Sequence, residues 1–280
     1  MIQEAINNLI ERALVEDIGD GDHSSLSSIP QEARGKARLV IKEEGVIAGL
    51  SVSEKVFSRV DPGIRFTSYL NDGDKINAGD IGFEIEGLQQ SILKSERLVL
   101  NILQRMSGIA TETRRYANSV KEFKTRILDT RKTTPGFRAF EKEAVRIGGG
   151  RNHRMGLFDM IMLKDNHIDF AGGIEKAIYG ARTYLGRTGR DLLIEIEVRN
   201  FDEINQVLKA GGVDRIMLDN FSPEETRKAV EIIGGKIEIE SSGGITYDTL
   251  RDYAACGVDY ISVGALTHHI KSLDMSLKAV

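Results

Sequence analysis

From residue 125 onward, short apolar runs alternate with stretches of helical spacing, and this alternation constrains the fold more than any other feature of the chain. The β-like runs are Ile127–Asp129, Met160–Leu163, Leu192–Val198, Arg215–Leu218, Ile237–Glu240 and Tyr260–Val263. Between them, segments around 138–147, 170–184, 201–210, 223–233 and 247–256 carry apolar residues at helical offsets. Strands alternating with helices build βα units, and βα units build a parallel sheet. Period alone leaves open whether that sheet closes into a barrel.

The ends of the runs separate the two possibilities. The first is followed by Thr130-Arg131-Lys132-Thr133-Thr134-Pro135-Gly136 and the second by Lys164-Asp165-Asn166-His167. The third carries Glu195 and Glu197, and the fourth ends at Asp219-Asn220. The fifth ends in Ser241-Ser242-Gly243-Gly244 and the sixth in Gly264-Ala265-Leu266-Thr267. A barrel collects every strand end into one ring, where barrel enzymes build their sites. An open doubly wound sheet uses only the ends near its switch point. Chemistry at every end therefore favours a barrel. The segment is short of the roughly 250 residues typical of an eight-stranded barrel, so a reduced or partly open one is expected.

The first hundred residues read as α+β. Ile2, Ile6, Leu9, Ile10, Ala13 and Leu14 predict a helix over 2–15. Short β-like runs follow at 36–42, 46–50, 64–70 and 81–86, separated by Gly and Asp turns. Helical spacing returns from Leu88 to Met106, and Gly108 is expected to break it before a second helix ending near Glu122. Two acidic, glycine-rich stretches invite a ligand reading. Asp17 to Asp22 lacks the remaining ligands of a calcium loop and reads as a solvated turn. Asp72 to Asp80 is similar to the hairpin of lipoyl or biotin carriers but lacks their modifiable tip.

Composition narrows the function classes. A net charge of −4 argues against nucleic-acid binding through bulk charge, so any anion site must be a local cluster of Lys and Arg. No apolar run approaches the ~20 residues of a membrane span. The N-terminal stretch lacks a basic start and a small-residue cleavage site. The lone Cys256 excludes an internal disulfide, fits a reducing cytoplasm and is expected as a buried structural thiol.

Around the expected ring the charges are ordered. Arg131, Lys132, His153, Arg154 and Lys164 form a cationic arc, Glu197 and Asp219 a carboxylate pair. Ser242-Gly243-Gly244 and Gly264 open helices late in the ring, where backbone N–H groups cradle phosphate. Each item alone has an ordinary reading as a solvated loop residue or a turn. Together on one rim they describe a pocket for a small, multiply anionic substrate.

The block DTRKTTPGFRAFEKEAVRIGGGRNHRMGLFDMIMLKDNHI, from Asp129 to Ile168, closely resembles the quinolinate phosphoribosyltransferase family. The likeness runs on through EDIGDGD, SERLVLNILQRMSGIAT, IEIEV, IMLDNFSPEE, ESSGGI and DYISVGALTH, in order and over essentially the whole chain. It implies an N-terminal α/β sandwich domain (residues 1–108, with the tail 268–280 returning to it) and an α/β-barrel catalytic domain (109–267). It also implies a Mg²⁺-dependent enzyme, a homodimer with shared active sites, and quinolinate and phosphoribosyl pyrophosphate as substrates.

By the same resemblance, Arg131, His153 and Arg154 grip the quinolinate carboxylates, with Lys132 and Lys164 between acid and pyrophosphate. Arg97 reaches the site of the other subunit. Glu197 and Asp219 hold the ribose hydroxyls and the associated Mg²⁺, and Ser242, Gly243 and Gly264 seat the 5′-phosphate. Lys132, Lys164, Glu197 and Asp219 are the catalytic candidates. Departures from the family pattern are small: GDHSS for a GDITT-like run, ESSGGI for EASGGI, and Arg151 where His is common. Two rivals are a Schiff-base lyase using Lys132 or Lys164, and the molybdenum-associated relative of the family. The intact cation set argues against both.

Overall fold

The computed structural model describes residues 2–280. In chain order its elements are α1 (Ile2–Ile18), α2 (His23–Ser28), β1 (Arg34–Ile41), β2 (Gly45–Val46), α3 (Leu50–Val60), β3 (Arg65–Ser68), β4 (Lys75–Ile76) and β5 (Ile81–Leu88). Then come α4 (Gln89–Ser119), β6 (Arg126–Leu128), α5 (Arg138–Gly148), β7 (Ile161–Leu163), α6 (Asp165–Ala171), α7 (Ile174–Thr188) and β8 (Ile194–Val198). The chain ends with α8 (Phe201–Ala210), β9 (Arg215–Asp219), α9 (Pro223–Ile233), β10 (Glu238–Ser242), α10 (Leu250–Ala254), β11 (Tyr260–Ser262), α11 (Ala265–His268) and β12 (Met275–Ala279). Two compact units emerge: residues 1–114, 133–149 and 266–280 form one, residues 115–132 and 150–265 the other.

The first unit is built on a four-stranded antiparallel sheet in the order β12-β1-β5-β3, so the last strand of the chain pairs with the first. Side chains alternate between faces with period two. Leu39, Ile41, Phe83 and Ile85 point into the core, where Phe57 of α3 and Phe66 of β3 join Phe83 with ring centroids 5.9 and 4.6 Å from it. The opposite face carries Lys36 across from Glu86 and Arg38 across from Glu84.

Several local expectations change. The strand expected over 46–50 is confined to Gly45–Val46, and the helix α3 begins at Leu50: Gly49 turns left-handed (φ 108°), and Val52, Val56 and Phe57 are buried at helical offsets. Asp72 caps this helix by accepting the N–H groups of Gly49 and Leu50 at 2.7 and 2.9 Å, so the acidic hairpin serves the fold. Asp22 likewise caps α2. Gly108 does not break α4, which runs unbroken for 31 residues. A Cβ at Gly108 would fall 2.3 Å from the Lys271 carbonyl oxygen, so glycine is there to let backbone approach. Packing of that kind outweighs its helix-propensity cost of about 1 kcal/mol. The single helix expected near 170–184 is split into α6 and α7 by Gly172 and Gly173, both at positive φ.

The second unit is a six-stranded parallel sheet in the order β6-β11-β10-β9-β8-β7. This is consecutive barrel order with one seam, between β6 and β7. Arg151 forms a single parallel bridge to Leu128 on the seam side of β6. The unit is thus a reduced, open α/β barrel. Ile194, Ile196, Ile216, Leu218, Ile239 and Ile261 face the helices and are buried with Ile178, Ile204, Val207 and Ala229. The other face of the same strands carries Glu195, Glu197, Arg215, Asp219, Glu238, Glu240, Ser242 and Ser262.

Candidate active site

All residues singled out from the motifs except Arg97 lie in the second unit; Arg97 is on α4 within the first. Strand direction carries Arg131 and Lys132, Lys164, Glu197, Asp219, Ser242 with Gly243, and Gly264 to one end of the sheet. Lys164 is the N-cap of α6, where its N–H donates to His167 Nδ1 at 3.1 Å. Its ammonium donates to Glu197 at 2.6 Å, joining the cationic arc to the carboxylate pair. Asp219 and Ser242 are register partners on β9 and β10, and Asn220 hydrogen-bonds to both. Lys132 and Gly264 share this rim through strand order.

His153 and Arg154 are held by a residue to which the motifs assign no role. Asp129, fully buried, accepts the His153 N–H at 2.8 Å and the Asn152 side-chain amide at 2.6 Å. With the Arg151 bridge, this ties the 151–154 segment to the end of β6. His153 Nδ1 accepts the N–H of Arg154 at 2.7 Å, which leaves the ring proton on Nε2. Nε2 faces Glu195 at 2.9 Å and Glu240 at 3.5 Å.

Below the rim the interior is charged. Arg215 reaches Glu238 at 3.2 Å, Glu240 at 3.3 Å and Glu195 at 4.0 Å, with its guanidinium 4.0 Å from the Tyr260 ring centre. Glu195 and Glu240 are fully buried. Burial first, and then the neighbouring Glu195 charge, push Glu240 up to about 8, against the opposing pull of His153, Ser262 and Arg215. Burial also raises Glu195. Arg154 is shifted down, by burial and then by the charge of Arg131 beside it. A half-buried guanidinium that feels the charge of a second, exposed one suits an anion, since guanidinium forks match carboxylates in bidentate fashion.

Glu240 and Arg215 are absent from the residues that the motifs single out. A usable signal exists in IEIEV and IEIES, where glutamates at i and i+2 fall on one face of a strand expected to be buried on both. Buried carboxylates need partners, so a cation and a proton had to be near. Glu197 and Asp219, inward-facing on adjacent strands, offer hard oxygen ligands suited to a Mg²⁺ shared with phosphate oxygens. Among the described residues a ready-made three-ligand group occurs elsewhere, at His153, Glu195 and Glu240, where Arg215 already supplies the positive charge.

Residues 22–107 match the model of the quinolinate phosphoribosyl transferase N-terminal domain, and residues 109–278 that of its C-terminal domain. The chain is 42% identical to quinolinate phosphoribosyltransferase [decarboxylating] 1b of Nicotiana tabacum, over 98% of this chain and 82% of that one. It is also 42% identical to the probable nicotinate-nucleotide pyrophosphorylase [carboxylating] of Bacillus subtilis, over 97% and 92%. Among solved structures, NadC of Streptococcus pyogenes superposes with a TM-score of 0.92 at 41% identity, covering 98% of this chain and 97% of that one. The nicotinate-nucleotide pyrophosphorylase of Francisella tularensis gives 0.92 at 41% identity, covering 99% and 96%. Sequence, domain order and fold agree across both halves: the chain belongs to the quinolinate phosphoribosyltransferase family.

Proposed function

We propose that this enzyme transfers the phosphoribosyl group of phosphoribosyl pyrophosphate to quinolinate and decarboxylates the adduct, giving nicotinate mononucleotide, pyrophosphate and carbon dioxide. The observation that carries the reading is Arg154, partly desolvated and set against Arg131 beside His153. Cations gathered against their own repulsion call for an anion with more than one negative charge, and quinolinate carries two carboxylates. The Ser242–Gly243 turn and the Glu197–Asp219 pair suit the other substrate, a phosphorylated sugar with hydroxyls to hold.

In this mechanism the pyridine nitrogen attacks C1 of the ribose as the bond from C1 to the pyrophosphate oxygen breaks. Arg131, Arg154 and His153 orient the ring, Lys132 and Lys164 bear on the acid and the leaving group, and Glu197 and Asp219 hold the ribose. No protein nucleophile is needed; positioning and fixed charge lower the barrier. Mg²⁺, when bound with pyrophosphate at Glu197 and Asp219, supplies charge neutralisation for the leaving group. The ring nitrogen, cationic after transfer, then accepts the electrons left as the C2–carboxylate bond breaks, and a proton takes the carboxylate's place at C2.

The Schiff-base alternative needs an unpaired, desolvated amine. Lys164 is instead ion-paired with Glu197. The lone cysteine fits a reducing compartment, and we assign the enzyme to the cytoplasm as a homodimer in which Arg97 serves the partner's site. Mixing inactive Arg97→Ala and Lys132→Ala subunits restores activity if that sharing holds; mixed dimers as dead as their parents rule it out. The reaction itself is tested by incubating purified protein with quinolinate, phosphoribosyl pyrophosphate and Mg²⁺. Equal yields of nicotinate mononucleotide, pyrophosphate and carbon dioxide are expected, and no product from the folded protein overturns the reading.

A further inference from the structure

We infer that Asn220 is a positioning residue that locks the Asp219 carboxylate and the Ser242–Gly243 turn into one arrangement, and so sets affinity for phosphoribosyl pyrophosphate. The inference rests on the phosphoribosyl-transfer reading and deepens it. Among the described residues Asn220 is the one non-glycine with positive φ, at 59°. L-residues avoid that conformation, and asparagine is among the few that tolerate it. In an exposed position at the end of β9, nothing in packing demands it.

Its hydrogen bonds and contacts show what the conformation accomplishes. The Asn220 N–H donates to the Ser242 carbonyl at 2.9 Å, extending the β9–β10 ladder one residue past the strand. The side-chain amide donates to Asp219 Oδ2 at 2.8 Å, which fixes the rotation of that carboxylate. The amide oxygen lies against Gly243: a Cβ there would fall 2.2 Å from it and 2.9 Å from the Asn220 nitrogen. Gly243 itself has φ 97° and Gly244 φ 62°, so this turn is free of side chains that could steady it from within. One asparagine therefore buttresses a glycine turn on one side and aims a carboxylate on the other. An aspartate in its place would set two carboxylates together, and any other L-residue would resist the backbone.

Two substitutions separate positioning from folding. Asn220→Gly keeps the positive φ and removes the amide; Asn220→Ala removes the amide and opposes the φ. For Asn220→Gly the KM for phosphoribosyl pyrophosphate is expected to rise about ten- to a hundredfold, the range for a lost hydrogen bond to a charged group. The KM for quinolinate should stay within about twofold and the thermal midpoint unchanged, because neither the cationic arc nor the core is touched. Asn220→Ala should show the same KM split with a lower midpoint. If Asn220→Ala does not fold, the glycine variant decides alone. Equal changes in both KM values, or no change in either, overturn the inference while wild-type turnover leaves the reaction standing. A wild-type enzyme inactive with these substrates overturns the reaction and this inference with it.

Discussion

The two sheets of this molecule turn their charges in opposite directions. In the antiparallel sheet of the first unit, Lys36, Arg38, Glu84 and Glu86 face outward while Leu39, Phe83 and Ile85 fill the core. In the parallel sheet of the second unit, isoleucines and leucines face the helices while Glu195, Arg215 and Glu240 line the inside. Branched aliphatic side chains ordinarily fill a barrel of this kind. The first sheet is arranged as stability alone would arrange it. The second holds buried charge that, by the usual balance of desolvation against Coulomb attraction, does little for stability. Charge kept where folding does not require it is best explained by the polar residues gathered at the strand ends.

The sharpest way to break that contrast is at the rim. Arg154→Met should lower kcat/KM by about a hundred- to a thousandfold, the scale of losing a preorganised charged contact. The thermal midpoint should rise, because the variant relieves both burial of the guanidinium and its repulsion from Arg131. A fall in both activity and midpoint would mean that Arg154 serves the fold.

Deeper in, removing Arg215 alone should cost about 3–5 kcal/mol, because buried Glu195 loses its counter-charge and buried Glu240 its guanidinium donor. Phe83→Ala in the first sheet should cost a similar ~3–5 kcal/mol through a cavity. The two are told apart by rescue. Replacing Arg215, Glu195 and Glu240 together with apolar residues should recover most of the stability and leave the enzyme inactive, and no such compensation exists for Phe83. A triple variant that turns over at the wild-type rate would show the interior charges to be idle.

A third, smaller effect is set by pH. Glu240 titrates near 8 in the folded protein against an ordinary value of 4.5, so the native state keeps a proton that the unfolded chain releases. Its stabilising contribution is complete below the ordinary value and fades as pH rises toward 8. Glu240→Gln stays neutral throughout, so midpoints measured across this window should decline less steeply for the variant than for wild type. Parallel curves would mean that Glu240 is ionised already at neutral pH.

How much of this was legible in the sequence follows from what each feature depends on. The βα alternation and the chemistry at the strand ends are local, and they led to an open α/β barrel with Arg131, Lys164, Glu197 and Asp219 on one rim. Gly108 shows the limit of local reasoning, since its neighbour in space, Lys271, is distant in sequence. The bracing by Asp129 and Asn220 was hidden for the same reason: each acts across strands, on His153 in one case and Gly243 in the other. Glu240 stood closer to view, because the Glu-Ile-Glu alternation places it on the face of Glu238, yet no single strand shows that the face is closed. The helix α3 was masked by the valine-rich composition of 46–56, which suits strands as well.

The smallest expected effect completes the contrast. Arg38 and Glu84 form a well-aligned pair at 2.8 Å across β1 and β5, geometrically better than the Arg215 contacts to Glu240 and Glu195. Arg38 is raised by its hydrogen bond to Glu84 and Glu84 lowered by the same bond, so each favours the other's charge. Yet both sit in water, where screening and side-chain entropy cancel most of the attraction. Arg38→Ala should therefore leave the midpoint close to wild type, and raising the salt concentration should shrink even that difference. Arg215→Met should respond weakly to salt, because ions do not enter the barrel interior. If the exposed pair proved as costly to break as the buried one, distance rather than burial would govern ion pairs in this molecule, and the opposed charge patterns of its two sheets would lose their meaning.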